Sequence, residues 1–279
     1  MIDTQVIETL KTTSRTFFLP IMRLDGDLRD TVAAYYLANR ALDEIEDHPA
    51  LTPDAKIELL GGISRLLQRE SLSAADADAL MRPYEDQLPP VTRQFHDWAV
   101  RLPAPEVAPR LWDSLATLAD RMADWVRADF RVRNVADLDR YTFAVASSIG
   151  ITLSDLWARY AGIVTSQSGA VAFGRAVQAA NITWNHADDL ERGVDFFPVG
   201  WTRSDMCAYA HRHLSAADAY TDSVPPGPVK DFCSLTLDIC RTTLDAIQQG
   251  TTVDRTTISA LADRYTIPTQ YLPHPTESP

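Results

Sequence analysis

Glycine is scarce in this chain, with 11 residues in 279, and cysteine is scarcer, with Cys207, Cys233 and Cys240 alone. So few glycines suit helices better than tightly turned architectures. Three cysteines with no CxxC pair exclude a disulfide framework and read as buried thiols. Positive charge is also in deficit: 26 Lys and Arg against 38 Asp and Glu leave a net charge of −12, which repels a phosphate backbone and argues against nucleic-acid partners. Long apolar runs are missing. The longest uncharged stretches, Tyr141 to Ser154 and Tyr160 to Gly174, are too short to cross a bilayer comfortably, so no integral membrane segment is expected. The N-terminus has no basic stretch followed by an apolar core, and a cytoplasmic location is expected. Walker and Rossmann glycine loops, an EF-hand loop and HExxH are all absent, and the HRH at 211–213 reads as surface.

What remains is a composition of 46% hydrophobic and 23% charged residues, that of a soluble globular protein. Apolar residues recur at three- and four-residue spacing almost throughout, which predicts an all-α fold. Prolines punctuate this pattern and mark helices near 29–48, 54–70, 91–101, 109–131, 137–160, 168–191, 203–221 and 228–249. Without a repeat or a linker, 1–279 reads as a single-domain helical bundle, with a frayed tail at about 272–279.

Two of these helices carry polar stripes. Tyr36, Arg40, Asp43 and Asp47 are spaced four, three and four apart, along one helical face. Gln178, Asn181, Asn185 and then Asp188 or Asp189 recur in the same way on a largely apolar helix. An acidic run alone is usually a solvated helix end. Two stripes rich in amides and carboxylates, by contrast, point to a ligand, because such groups are costly to bury unserved. Carboxylates on two helices suit Mg²⁺ and a diphosphate, since Mg²⁺ favours one or two carboxylates, retained waters and phosphate oxygens. Ionising an allylic diphosphate also needs a dry hollow lined by aromatic groups, for which Phe17, Phe18, Tyr35, Tyr36, Tyr141, Phe143, Trp157 and Trp184 are candidates.

The runs SRTFF (14–18), LDGDLRDTVAAYYLANRALDEIED (24–47), YTFAVASSIG (141–150), QAANITWNHADD (178–189) and GVDFFP (193–198) resemble, in order and spacing, the squalene/phytoene synthase family of head-to-head isoprenyl synthases. The resemblance implies an all-α isoprenoid-synthase bundle with a central cavity. It implies Asp43, Glu46 and Asp47 as a first acidic motif binding Mg²⁺ and a prenyl diphosphate, and Asp189, helped by Asp188, as a second. It further implies that Ser14, Arg15 and Arg40 contact diphosphate, that Tyr36 and Tyr141 lie beside the reacting carbons, and that Gln178 and Asn181 line the cavity.

The second motif departs from the family pattern. Trp184 and Asn185 stand where an arginine and an aspartate are usual, so a cation and a carboxylate are lost, although Asn185 still offers Mg²⁺ a neutral oxygen. Trp184 presents a flat face on which a planar acceptor can stack. The reading favoured at this level is therefore a Mg²⁺-dependent transfer of a prenyl group to an aromatic, carbazole-like acceptor, as in divergent members of the resembling family. The proton released would fall to Tyr141, Asp188 or His186. The alternatives are head-to-head condensation of two prenyl diphosphates and a non-catalytic isoprenoid-binding protein.

Overall fold

A computed structural model describes residues 2–14, 16–69 and 71–265 of the chain. The expected tail at 272–279 lies outside the described residues. Within them the protein is helical and contains no strand. In chain order the helices are α1 (Thr4–Thr13), α2 (Phe18–Ile21), α3 (Gly26–Glu46), α4 (Pro53–Leu67), α5 (Ala74–Met81), α6 (Pro90–Arg93), α7 (Ala108–Arg127), α8 (Val135–Thr142), α9 (Ser148–Leu156), α10 (Gln167–Glu191), α11 (Arg203–Asp222), α12 (Pro228–Gln248) and α13 (Arg255–Ala262).

The helix starts follow from local chemistry. Pro53, Pro90, Pro109 and Pro228 each sit in a first helical turn, where their missing N–H costs nothing. Thr52 accepts from the Ala55 amide, Ser166 from Gly169, and Thr202 forms a reciprocal capping box with Asp205. Proline punctuation thus locates the long helices to within a few residues. The helix expected at 91–101 is only the four-residue α6 followed by a widened turn at Asp97–Arg101, and the four-residue α2 is missed. Also missed are α1, α5 and α13, which have only ten, eight and eight residues and too few turns to show a period. Their starts are marked by the side-chain caps Asp3, Ser73 and Asp254.

The expected continuous helix over 137–160 is broken by two widened turns, Phe143–Ser147 and Trp157–Ala161, closed by bonds from the Ser148 amide to the Phe143 carbonyl and from the Gly162 amide to the Trp157 carbonyl. The first lies against α10. A Cβ on Gly174 would stand 2.6 Å from both the Ala146 carbonyl oxygen and Ser147 Cα, and one on Gly150 would stand 2.6 Å from the Ala170 oxygen. Glycine at these positions lets backbone meet backbone.

Helix α10 lies among α8, α9, α11, α12 and the 143–147 turn, whereas α3 packs on α4, α6 and α7. Helices α3 and α10 make little direct contact with each other. One continuous apolar core joins the two groups, and a small satellite of Leu235, Ile239, Leu261 and Ala262 seats α13 on α12. Cys207, Cys233 and Cys240 are buried free thiols, as the sequence implied. Among the described residues no helix is long and apolar enough to cross a membrane.

A polar knot ties α8, α10 and α11 together. The Tyr209 hydroxyl donates to Asp139 at 2.7 Å, Arg175 reaches the same carboxylate at 3.5 Å, and His213 lies edge-on to Tyr209 with centroids 4.5 Å apart. His213, read as surface from the HRH run, is half-buried. Burial first, and then the Arg175 charge, push its pKa down to about 4.

With backbone so close at Gly174, the substitution Gly174→Ala should lower unfolding free energy in urea by about 1–3 kcal/mol through overpacking. Gly61→Ala, where the new methyl meets only the flexible tip of Arg65, should be neutral or stabilising. His213 stays neutral in the folded chain while the unfolded chain protonates near 6.5, so stability present above that pH is lost as pH falls toward 4. Thermal melting of His213→Gln should lack this component; an unchanged slope over that window would sink the assignment.

Candidate active site

The C-terminal ends of α3 and α10 bring the two acidic motifs together. Arg192, the residue that ends α10, reaches Asp47 Oδ1 with Nη1 at 2.7 Å and Asp189 Oδ1 with Nη2 at 2.5 Å. A single guanidinium therefore joins carboxylates carried by two different helices. The fork geometry of arginine suits this, because its nitrogens donate in a fixed plane to separate oxygens.

Around this bridge the anions are crowded. Glu46 is 5% exposed and its Oε1 has no hydrogen-bond partner. Burial raises its pKa well above the carboxylate range, and Asp47 and Asp43 add to the effect. The Asp43 carboxyl is pushed up to about 7, first by desolvation and then by Asp47 and Glu44, against the pull of Arg40. Because 40% of the Asp43 side chain remains open, this recess is reachable from water. Lys56 faces the same acids, but its ammonium donates to the Glu46 carbonyl at 2.6 Å, not to a carboxylate.

Tyr141 connects the acidic ends to the aromatic interior. Its pKa is raised by burial and then by Glu46, Asp47, Asp43 and Asp189, so its hydroxyl senses carboxylates from both helices. Its ring stacks on Phe196 at 4.4 Å and meets Trp125 edge-on at 5.3 Å. Tyr36 packs on Phe17 at 5.7 Å, and burial and then Asp43 raise its pKa. Both phenols are held protonated.

The other expected residues take varied places. Arg40 pairs with Glu44 and lies 3.9 Å from Asp43, while its Nε is buried without a partner. Buried Ser14 donates its hydroxyl to the Leu10 carbonyl at the end of α1. Arg15 lies outside the described residues. Gln178 is half-buried; Asn181 is exposed and accepts from Asn185 Nδ2 at 3.0 Å. Asp188 is exposed and Asp189 buried, which separates the two adjacent acids by role. Trp184 is 39% exposed, on the same side of α10 as Asn181 and Asp188. His186 stacks on Phe197 at 3.8 Å and lies 3.3 Å from Asp195, so it is tied to the segment after α10. Of the other aromatic candidates, Tyr35 and Trp157 are core residues, bound respectively to Ser114 by a 2.6 Å hydrogen bond and to Phe232 by ring contact at 5.4 Å.

Sequence reasoning missed Arg192, Lys56, Trp125 and the role of Phe196. Arg192 follows Asp189 by three residues and Asn185 by seven, so the α10 stripe extends one turn further, to this residue. The cation missing at Trp184 is present at the acids from a different position. Among the described residues no three His, Cys, Asp or Glu side chains stand close enough to hold a metal ion by themselves.

Compared with known proteins, residues 10–205 match the family model described as squalene/phytoene synthase. The squalene synthase of Rattus norvegicus is 28% identical over 193 residues, covering 68% of this chain and 45% of that protein. That of Eremothecium gossypii is 27% identical over 228 residues, covering 76% and 50%. The chain thus spans about half the length of these curated relatives. Among solved structures, a ligand complex of TcSQS superposes with a TM-score of 0.73 at 21% identity, covering 93% of this chain and 84% of the other. A dehydrosqualene synthase in complex with ligand gives 0.61 at 16%, covering 94% of each. At these identities the structural likeness establishes the all-α isoprenoid-synthase fold.

The bridge is open to direct measurement. A double-mutant cycle on Arg192→Gln and Asp47→Asn, followed by urea unfolding, should return a coupling of about 0.5–1 kcal/mol, the size expected for a partly exposed ion pair. Strictly additive effects would mean that the pair does not form.

Proposed function

Because the chain belongs to the squalene/phytoene synthase family, we propose that it is a Mg²⁺-dependent prenyltransferase condensing two prenyl diphosphates head to head. The observation that carries this reading is the meeting of Asp47 and Asp189 on one guanidinium, which joins the two acidic motifs at one end of the bundle. The likeness to squalene synthases favours head-to-head chemistry over the aromatic acceptor suggested by the altered motif, and Arg192 removes some of the reason for leaving the family norm. The protein is read as one domain acting in the cytoplasm.

The residues fit a hard divalent cation. Asp43, Glu46 and Asp47 from α3, with Asp189 and the Asn185 amide from α10, are all oxygen donors, and the orphaned Glu46 Oε1 is an unmet demand for a cation. Mg²⁺ held by these oxygens would supply the charge neutralisation that a departing diphosphate needs. Arg40, Arg15 and the Ser14 hydroxyl serve the diphosphate oxygens. Tyr36 and Tyr141, held as neutral phenols, turn ring faces and hydroxyls toward the allylic carbons, where positive charge develops. Phe17, Gln178 and Asn181 border the prenyl chain, and the packed aromatic set of Trp125, Tyr141 and Phe196 keeps water from it.

A second reading keeps the same donor chemistry but delivers the prenyl group to an aromatic acceptor. It is favoured by the 39% exposed Trp184 and by the Asn185 amide, engaged with Asn181 where the family carries a carboxylate. In that case the exposed Asp188 carboxylate, and not the protonated Tyr141 phenol, takes the proton released on rearomatisation.

Purified protein incubated with farnesyl or geranylgeranyl diphosphate and Mg²⁺, without acceptor, should give a thirty- or forty-carbon product by mass spectrometry. Product appearing only when an aromatic acceptor is added would replace this reading with the second. Asp43→Ala and Asp47→Ala should each lower turnover by about 10²–10³-fold, the range for loss of a main electrostatic contribution; undiminished turnover would remove the acidic ends from the chemistry.

A further inference from the structure

The same atoms that would take a metal are held by a side chain of the protein itself. Arg192 Nη1 contacts Asp47 Oδ1 at 2.7 Å, Nη2 contacts Asp189 Oδ1 at 2.5 Å, and Nη1 also reaches the Asp47 carbonyl at 3.5 Å. Among the described residues it is the cation whose ion pairs span α3 and α10. Lys56 pairs with no carboxylate, and Arg40 is engaged with Glu44 and Asp43 on its own helix. A divalent cation and this guanidinium compete for the same two carboxylates. We propose that Arg192 is an internal counter-cation that latches the acidic ends of α3 and α10 together in the metal-free protein and makes metal uptake depend on arrival of a diphosphate.

Asp47 and Asp189 both reach the guanidinium, and Asp43 and Glu46 lie in the last turn of α3 beside Asp47. Without a bridging cation the Asp47 and Asp189 carboxylates would repel one another across the two helix ends. The guanidinium satisfies that need in the absence of any ligand. The latch also has somewhere to go. Its side chain is 34% exposed and it ends α10, so it can turn without disturbing helical hydrogen bonds. A diphosphate offers paired oxygens that match the guanidinium fork, and it draws Arg192 off the carboxylates as they are freed for the metal. A metal arriving alone meets a site mostly closed to it, and its apparent affinity is reduced by the fraction of protein with the latch open. Diphosphate and metal then bind cooperatively because each opens the site to the other.

This inference rests on reading the acidic ends as a metal-diphosphate site, and its test needs no turnover. Free Mn²⁺ is followed by electron paramagnetic resonance with the full chain, with and without inorganic pyrophosphate. Wild type should bind Mn²⁺ weakly alone and much more tightly with pyrophosphate. Arg192→Gln should bind Mn²⁺ alone about tenfold more tightly than wild type and gain correspondingly less from pyrophosphate. Arg192→Lys keeps the charge on a group too compact to span both carboxylates. It should fall between the two, and it carries the test if circular dichroism finds Arg192→Gln unfolded. Lys56→Gln removes a charge near the same acids without touching the latch.

Mn²⁺ affinity in the Arg192 variants no higher than in wild type would overturn the proposal. An equal gain in Lys56→Gln would also overturn it, because the effect would then be the general field and not the bridge. Absence of Mn²⁺ binding in every protein, even with pyrophosphate, would overturn both the metal reading of the site and the latch. A latch failure alone would leave wild type binding Mn²⁺ with pyrophosphate.

Discussion

Carboxylates brought together at the ends of two helices repel one another, and at α3 and α10 a cation stands between them. Arg192 meets that constraint with a planar fork reaching one oxygen on each helix. The rest of the site is organised around the same anionic charge. Glu46 is buried with its Oε1 unpartnered, Asp43 holds its proton far above the usual range, and burial and then four nearby acids raise the pKa of the Tyr141 phenol. A concentration of negative charge in a partly dry recess is unfavourable in isolation, and such strain is a common mark of a site awaiting a cationic ligand.

The scaffold tolerates that charge because the helices beneath it are fixed elsewhere. Helix α10 is pinned by backbone contact at Gly150 and Gly174 and by the Asp139, Arg175, Tyr209 and His213 knot, while α3 is joined to α7 and α9 through the buried chain Tyr35, Ser114 and Thr152. Each group of helices has its own anchors, and the groups meet through the apolar core. Their polar ends therefore meet through the Arg192 ion pairs.

Much of this was legible in the residues. Proline positions and the three- to four-residue period located the long helices, and stripe spacing singled out Asp43 and Asp47 on one helix, and Asn185 with Asp188 or Asp189 on the other, as groups sharing faces. Other features were not legible, for identifiable reasons. The widened turns at 143–147 and 157–161 leave the periodic pattern almost unchanged, because an extra residue in one turn resembles ordinary variation in spacing. Arg192 escapes notice because it stands at a helix end, beside a glycine, where a basic residue is commonplace. Its importance arises from Asp47, which precedes it by 145 positions.

The order of residues along the chain determined which side chains share a helical face, because helix geometry is local and a spacing of three or four residues is enough to specify it. It also determined that the molecule would be helical, acidic and without a disulfide frame. Tertiary structure alone decided which faces look at each other, which of two adjacent aspartates is buried, and which guanidinium supplies the missing charge. Those outcomes depend on distances between helices remote in sequence, and electrostatic energy responds to separation in space and to the surrounding dielectric, neither of which is written in local spacing.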